Sequence, residues 1–252
     1  MTRTLALHVV RDRRAGGSLA AERIAAAVAQ RPDLVLGVAT GSTPEPVWSA
    51  LVERDLDLSR VRAFALDEYL DIPADHPERY AAVVEREITR PLGLDPRLVR
   101  TPGDDGRDEG APQRYERAIA EAGGVDIQVL GIGRNGHIAF NEPGSAASSR
   151  TRIARLSEQT RRDNARFFRS LDEVPRSCIT QGIGTILEAR SIILLAFGAS
   201  KAAAIAAAVE GPVTTDVPAS ALQRHPDVTV VVDEAAAAAL QQRRPSAAAE
   251  RA

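Results

Sequence analysis

The chain has 252 residues, 44% hydrophobic and 26% charged, enough apolar material to bury a core, which excludes fibrous, collagen-like and disordered classes. Thirty-two basic side chains against 34 acidic ones leave a net charge of -2, which argues against a nucleic-acid backbone as the main partner. A single cysteine, Cys178, allows neither an internal disulfide nor a structural zinc site, and no apolar stretch approaches a membrane span or a signal-peptide core, so a reducing cytoplasmic setting is expected.

In chain order, short continuous apolar runs occur at Leu34 to Val38, Phe64 to Leu66, Ile127 to Leu130, Ile192 to Ala196 and Val228 to Val232. Runs of this kind suit strands buried on both faces. Helical patterns lie between them at Leu19 to Ala29, Pro46 to Glu53, Ala111 to Ala120 and Lys201 to Val209, and the run Ala235 to Ala239 reads as a further helix. The alternation predicts an α/β fold: a single doubly wound, mostly parallel sheet with helices on both faces. No linker or internal repeat divides the chain, so one domain is expected over residues 1–242, followed by a frayed low-complexity tail at 243–252.

In such a sheet, ligands bind beyond the carboxyl ends of the strands. Thr40-Gly41-Ser42-Thr43-Pro44 leaves one strand for a helix, and its amides and hydroxyls could cradle a phosphate; the plainer reading is an ordinary helix cap. Gly198-Ala199-Ser200-Lys201 repeats the arrangement and carries the one lysine in a chain whose other 31 basic residues are Arg. A cation is unfavourable in the first turn of a helix, so Lys201 there suggests a compensating anion, against the plainer reading of an exposed surface lysine.

Gly131-Ile132-Gly133-Arg134-Asn135-Gly136 matches a dinucleotide-binding pattern, but Asn141-Glu142-Pro143-Gly144 breaks the chain where that motif requires a helix. The segment reads instead as an irregular loop presenting Asn135, His137 and Glu142. His137 could be a satisfied core histidine; a carboxylate five residues on favours proton transfer, because it would fix the imidazole tautomer and tune its pKa. Asp67 follows Phe64-Ala65-Leu66 at another strand end, where it either caps a turn or acts as a base. Together these residues point to proton-transfer chemistry on a small phosphorylated metabolite, with neither metal nor organic cofactor.

Several strings carry a family resemblance: LGVATGSTP (36–44), LDEY (66–69), GIGRNGHIAFNEPG (131–144), SRTRI (149–153), TRRDNARFF (160–168), GIGTIL (182–187) and SKAAAIAAAVEG (200–211). Over nearly its whole length the sequence resembles the glucosamine-6-phosphate deaminases, in the fold group that also holds 6-phosphogluconolactonases and ribose-5-phosphate isomerases. The resemblance implies a hydrolase of amino sugar (N-acetylglucosamine) catabolism that turns glucosamine 6-phosphate into fructose 6-phosphate and ammonia. Asp67 would move the proton between C2 and C1, and His137, held by Glu142 and beside Asn135, would open the sugar ring. The phosphate would sit on Gly41, Ser42 and Thr43 with Arg166 and Lys201, with no metal and no cofactor.

The resemblance has departures. Some members carry Asp where Asn135 stands. Allosteric members use a second sugar-phosphate site, of which Arg152 remains here, whereas Ala154 stands at a Lys position and the Ala-rich tail has no Tyr. Weak or absent activation by N-acetylglucosamine 6-phosphate is expected, and the chain could be a monomer or a homo-oligomer. The alternatives are a lactonase-like enzyme on the same phosphate loop and a non-catalytic sugar-phosphate sensor. The polar stretch Ser145 to Arg155 has no periodicity that places its backbone, and a lid could lie there or near Arg161 to Arg166.

Overall fold

The computed structural model describes residues 4–241. The chain runs β1 (Thr4–Val10), α1 (Arg13–Gln30), β2 (Val35–Val38), α2 (Glu45–Val52), β3 (Arg62–Ala65), β4 (Asp67–Tyr69), α3 (Tyr80–Val84) and β5 (Val99–Arg100). It continues through α4 (Ala111–Glu121), β6 (Ile127–Gly131), β7 (Arg152–Arg155), α5 (Glu158–Asn164), β8 (Ser177–Thr180), α6 (Ile183–Leu187), β9 (Ser191–Ala196), α7 (Ala202–Val209) and β10 (Asp227–Asp233).

Seven strands form one parallel sheet in the order β1-β10-β9-β6-β2-β3-β5. Its five inner strands, β10, β9, β6, β2 and β3, are buried on both faces, which is why they read as unbroken apolar runs, whereas the edge strands β1 and β5 are only partly buried and show none. Along β9, Ile192 and Leu194 pack toward α4, α6 and α7, while Ile193 and Leu195 pack toward α1 and α2. The period of two therefore sorts core residues to opposite layers without a polar face.

Some of the structure departs from the sequence pattern. A separate antiparallel sheet, β4-β8-β7, stands beside the main one; its strands are only three or four residues long and gave no run. Helix α1 starts at Arg13 and not near Leu19, because the Asp12 carboxylate caps it by accepting from the Ala15 N–H at 2.8 Å. Gly16 and Gly17 within it are buried where a side chain would strike Phe197 and the backbone of Pro46. The expected helix at Ala235 to Ala239 is a string of turns. Asp233 is the reason: its carboxylate accepts from the Gly198 and Ala236 N–H groups, pinning the chain to the β9 end while Ala236, Ala237 and Leu240 fill the core. The tail expected to fray, 243–252, lies outside the described residues.

The segment that sequence could not place is fixed by one carboxylate. Glu116 on α4 accepts from the Thr151 N–H at 2.8 Å and from the Thr151 and Thr185 hydroxyls at 2.5 Å, and the chain then enters β7, an edge strand of the small sheet. No described helix is long and apolar enough to cross a membrane.

Candidate functional site

The sheet order reverses between β2 and β6. From β2 the chain builds outward to β3 and β5; from β6 it builds the other way through β9 and β10. The loops leaving adjacent strands at such a point diverge to opposite faces and open a crevice at their carboxyl ends. A cleft of about 890 Å³ lies there, and its walls include Gly41, Ser42, Thr43, Asp67, His137, Arg166 and Lys201. Every predicted site residue except Asn135 and Glu142 reaches the wall itself, and those two stand directly behind His137.

The phosphate-loop reading rests on α2. The helix begins after Pro44 and no side chain caps it, so Ser42 and Thr43 are not an ordinary helix cap. Gly41 has φ +89°, a left-handed conformation that turns the chain sharply off β2, and Gly198 takes the same value off β9. Lys201 ends the short turn after Gly198 and lines the cleft; its Nζ donates to the Ile132 carbonyl at 2.6 Å, leaving two of its three protons for a ligand. Burial lowers its pKa, and Arg134 and Arg166 add to that by repulsion, against the pull of Asp163.

Arg166 follows α5, with its guanidinium 4.7 Å above the Phe167 ring and Nη2 3.5 Å from Ser42 Oγ. Arg13, which sequence reading did not single out, donates to the Ser42 carbonyl and, at 3.3 Å, to Glu45. Only the sheet order brings the start of α1 beside the loop after β2, so no local motif could have found it.

Asp67 sits where the chain passes from one sheet to the other. Leu66 donates its N–H to Val38 on the parallel sheet and accepts from Gln181 next to β8, so the backbone is held on both sides immediately before Asp67. Asp67 is 8% exposed, and among the described residues no ion pair neutralises it. Burial, and secondarily the charge of Glu68, pushes its carboxyl up to about 8. Glu68 itself points away and accepts from the N–H groups of Tyr69, Tyr80 and Ala81 at 2.8 to 2.9 Å, tying the start of α3 to β4.

Glu142 does not hold His137 directly, as the sequence suggested; Asn135 stands between them. The imidazole Nδ1 lies 2.7 Å from Asn135 Oδ1, and Asn135 Nδ2 donates to Glu142 Oε2 at 2.8 Å, while ring and carboxylate are 3.7 Å apart. Since the amide nitrogen serves Glu142, its oxygen must accept, which assigns the proton to Nδ1 and leaves the Nε2 lone pair free. Burial lowers the His137 pKa, with Lys201 adding to it and Glu142 and Asp163 opposing, so the ring is held neutral. Burial alone would raise Glu142, but hydrogen bonds from Thr160, Asn135 and Ser157 and the nearby His137 hold its carboxyl below the usual range.

Among the described residues no group of three or more His, Cys, Asp or Glu could hold a metal ion. The geometry offers a hydrogen-bonded base, a desolvated carboxyl and a cationic rim on one cleft, an arrangement suited to moving protons on a phosphorylated small molecule.

Residues 13–231 match the family described as glucosamine-6-phosphate isomerases/6-phosphogluconolactonase. The chain is 54% identical over 231 residues to a glucosamine-6-phosphate deaminase of Streptomyces avermitilis, covering 89% of this chain and 88% of that one. A solved monomeric glucosamine-6-phosphate deaminase superposes with a TM-score of 0.90 at 39% identity, covering 93% of this chain and 100% of that one. The 6-phosphogluconolactonase of Trypanosoma cruzi superposes with a TM-score of 0.75 over 96% and 99% of the two chains, but at 24% identity it is similar in fold alone. By sequence over most of its length and by fold, the chain belongs to the glucosamine-6-phosphate isomerase/6-phosphogluconolactonase family.

Proposed function

We propose that the chain is a glucosamine-6-phosphate deaminase, converting glucosamine 6-phosphate and water into fructose 6-phosphate and ammonia. The observation that carries this reading is the meeting of the His137–Asn135–Glu142 relay with the desolvated Asp67 on one cleft rimmed by Arg166 and Lys201. The 54% identity to the Streptomyces avermitilis deaminase supports the same substrate.

The phosphate docks at Gly41, Ser42 and Thr43 between Arg166 and Lys201. His137 Nε2 takes the proton of the C1 hydroxyl and returns one to the ring oxygen, opening the sugar to the aldehyde. Asp67, as carboxylate, removes the C2 proton while the aldehyde oxygen takes a proton from the substrate's ammonium group, giving an enolamine, and Asp67 then delivers its proton to C1. The ketose iminium left at C2 adds water and expels ammonia. A base whose pKa lies near working pH combines ionisation with proton-accepting strength, and about 8 meets that condition better than the usual carboxyl value.

All the residues in this scheme lie on one chain, so a single copy acting as one domain can hold a complete site, in keeping with the monomeric relative. The free, buried Cys178 fits the reducing cytoplasm in which amino sugar phosphates are metabolised. The test is ammonia release from glucosamine 6-phosphate by the purified protein, with Asp67→Asn and His137→Gln beside it. Activity that collapses in both variants supports the scheme; a folded wild-type protein that binds the sugar phosphate and releases no ammonia overturns it.

A further inference from the structure

Glu142 is gripped from two directions. Oε2 receives the Asn135 amide from within the catalytic loop; Oε1 receives the hydroxyl of Thr160 and, at 3.3 Å, the N–H of Ser157, both at the start of α5. Thr160 is 2% exposed, so its hydroxyl is withheld from solvent for this contact.

Helix capping does not account for it. Ser157 already caps α5 by accepting from the Thr160 N–H at 3.1 Å, and that bond uses the Thr160 backbone. The Thr160 hydroxyl also accepts from the Ser157 hydroxyl at 3.2 Å, but its own proton goes to Glu142, a carboxylate two hydrogen bonds removed from the reacting imidazole. The C-terminal end of α5 faces the same cleft: Asn164 donates to the Tyr69 hydroxyl at 2.9 Å, Asp163 pairs with Arg134, and Arg166 follows at the phosphate end. The segment that carries a phosphate cation therefore also sets the far end of the histidine relay.

We propose that Thr160 is a positioning residue for ring opening: its Oγ1 fixes the Glu142 carboxylate, and through it the Asn135 amide and the Nδ1–H of His137, so that the relay is set only while α5 is seated on the cleft. Without the hydroxyl, the carboxylate keeps one weak donor on Oε1 and is free to rotate, and Asn135 loses its fixed acceptor. The sugar phosphate still binds, because Arg166, Lys201 and the Gly41 loop do not involve Thr160. This inference rests on the deaminase reading above.

The experiment compares Thr160→Val, which replaces the hydroxyl by a methyl of similar volume, with Thr160→Ser, which keeps it. Three quantities are measured: kcat and KM for glucosamine 6-phosphate, the inhibition constant of the corresponding open-chain amino alditol 6-phosphate, and the melting temperature. The alditol needs no ring opening, so it separates relay from binding. Thr160→Val is expected to lose at least tenfold in kcat with KM and the alditol constant within twofold of wild type, and Thr160→Ser to recover kcat to within threefold. A Thr160→Val enzyme with more than half the wild-type kcat, an alditol constant that weakens in step with kcat, or a Thr160→Ser enzyme equally impaired overturns the proposal. Failure of Thr160→Val and a second variant, Thr160→Ala, to fold assigns the residue to structure and overturns it too. A folded wild type without ammonia release fells both readings, whereas an active wild type with an unaffected Thr160→Val fells this one alone.

Discussion

Asn135 joins His137 to Glu142: its carbonyl oxygen is 2.7 Å from the imidazole Nδ1 and its amide nitrogen 2.8 Å from the carboxylate. One side chain thus fixes both the tautomer of the base and the orientation of the charge behind it. Asn135→Leu fills similar space but offers neither group, so the ring is free to rotate and to carry its proton on the wrong nitrogen. General acid–base catalysis by a positioned side chain contributes roughly 10²–10⁴-fold, so kcat should fall by about 10²-fold or more with KM changed less than about threefold. Steady-state kinetics check this; a KM effect larger than the kcat effect would place Asn135 in substrate binding.

Asp67 makes activity and stability respond to pH in opposite ways. Its carboxyl is raised to about 8, and in the proposed mechanism the base form is the reactive one, so kcat/KM should climb with pH through about 8 in wild type. For stability, the folded chain holds this proton up to about pH 8 whereas the unfolded chain releases it near pH 4, so the unfolded state binds fewer protons between those values. Stability from this site is fully present below about pH 4 and is lost as pH rises to about 8. Asp67→Asn, which cannot ionise, should be nearly inactive yet melt at least about 2–4 °C above wild type at pH 8.5, the shift that about 1 kcal/mol produces in a chain of this size, with the gap closing toward pH 4.5. Thermal melts of both proteins across that range decide it.

Lys201 is expected not to tolerate Arg. Its ammonium fits a half-buried position with the Ile132 carbonyl 2.6 Å away, and a planar guanidinium is longer and places its donors in a fork. Lys201→Arg should raise KM by about tenfold or more, equivalent to about 1.4 kcal/mol of binding, with a smaller change in kcat. Full recovery of KM by Arg would show that charge alone is needed there.

Arg13 holds the Gly41 to Thr43 loop by the Ser42 carbonyl and also pairs with Glu45, so on the proposed phosphate docking it steadies that end of the cleft. Arg13→Ala should raise KM severalfold and weaken competitive inhibition by inorganic phosphate in proportion, while kcat stays within about twofold. Unchanged phosphate inhibition would remove Arg13 from the phosphate end.

Arg152 already spends its guanidinium internally, donating to Asn141 Oδ1 at 2.8 Å and Ser145 Oγ at 3.1 Å, and Ala154 two residues on adds no cation. Rate against glucosamine 6-phosphate should therefore be hyperbolic and unaltered by N-acetylglucosamine 6-phosphate. Sigmoidal kinetics relieved by that compound would contradict it.

The sequence by itself determined the five inner strands of the parallel sheet and the loops that leave them. Strands buried on both faces leave continuous apolar runs, so Leu34 to Val38 and Ile192 to Ala196 were legible within a residue or two of β2 and β9, and the loops after them drew attention to Gly41 and Lys201. The Gly131 to Gly144 segment reads as an irregular loop from its Asn141-Glu142-Pro143-Gly144 break, and the structure holds no helix across it. Tertiary structure decided what lies opposite what. The β4-β8-β7 sheet is made of strands too short to show a period, and the turns after Asp233 replace a helix that alanine propensity favours, because one carboxylate binds the β9 end instead. Arg13 meets Ser42 across 29 residues and Thr160 meets Glu142 across 18, contacts fixed by strand order and by the seating of α5. The raised carboxyl of Asp67 has the same origin: its residue type is local, whereas its desolvation is a property of the seam between two sheets that no short stretch of sequence encodes.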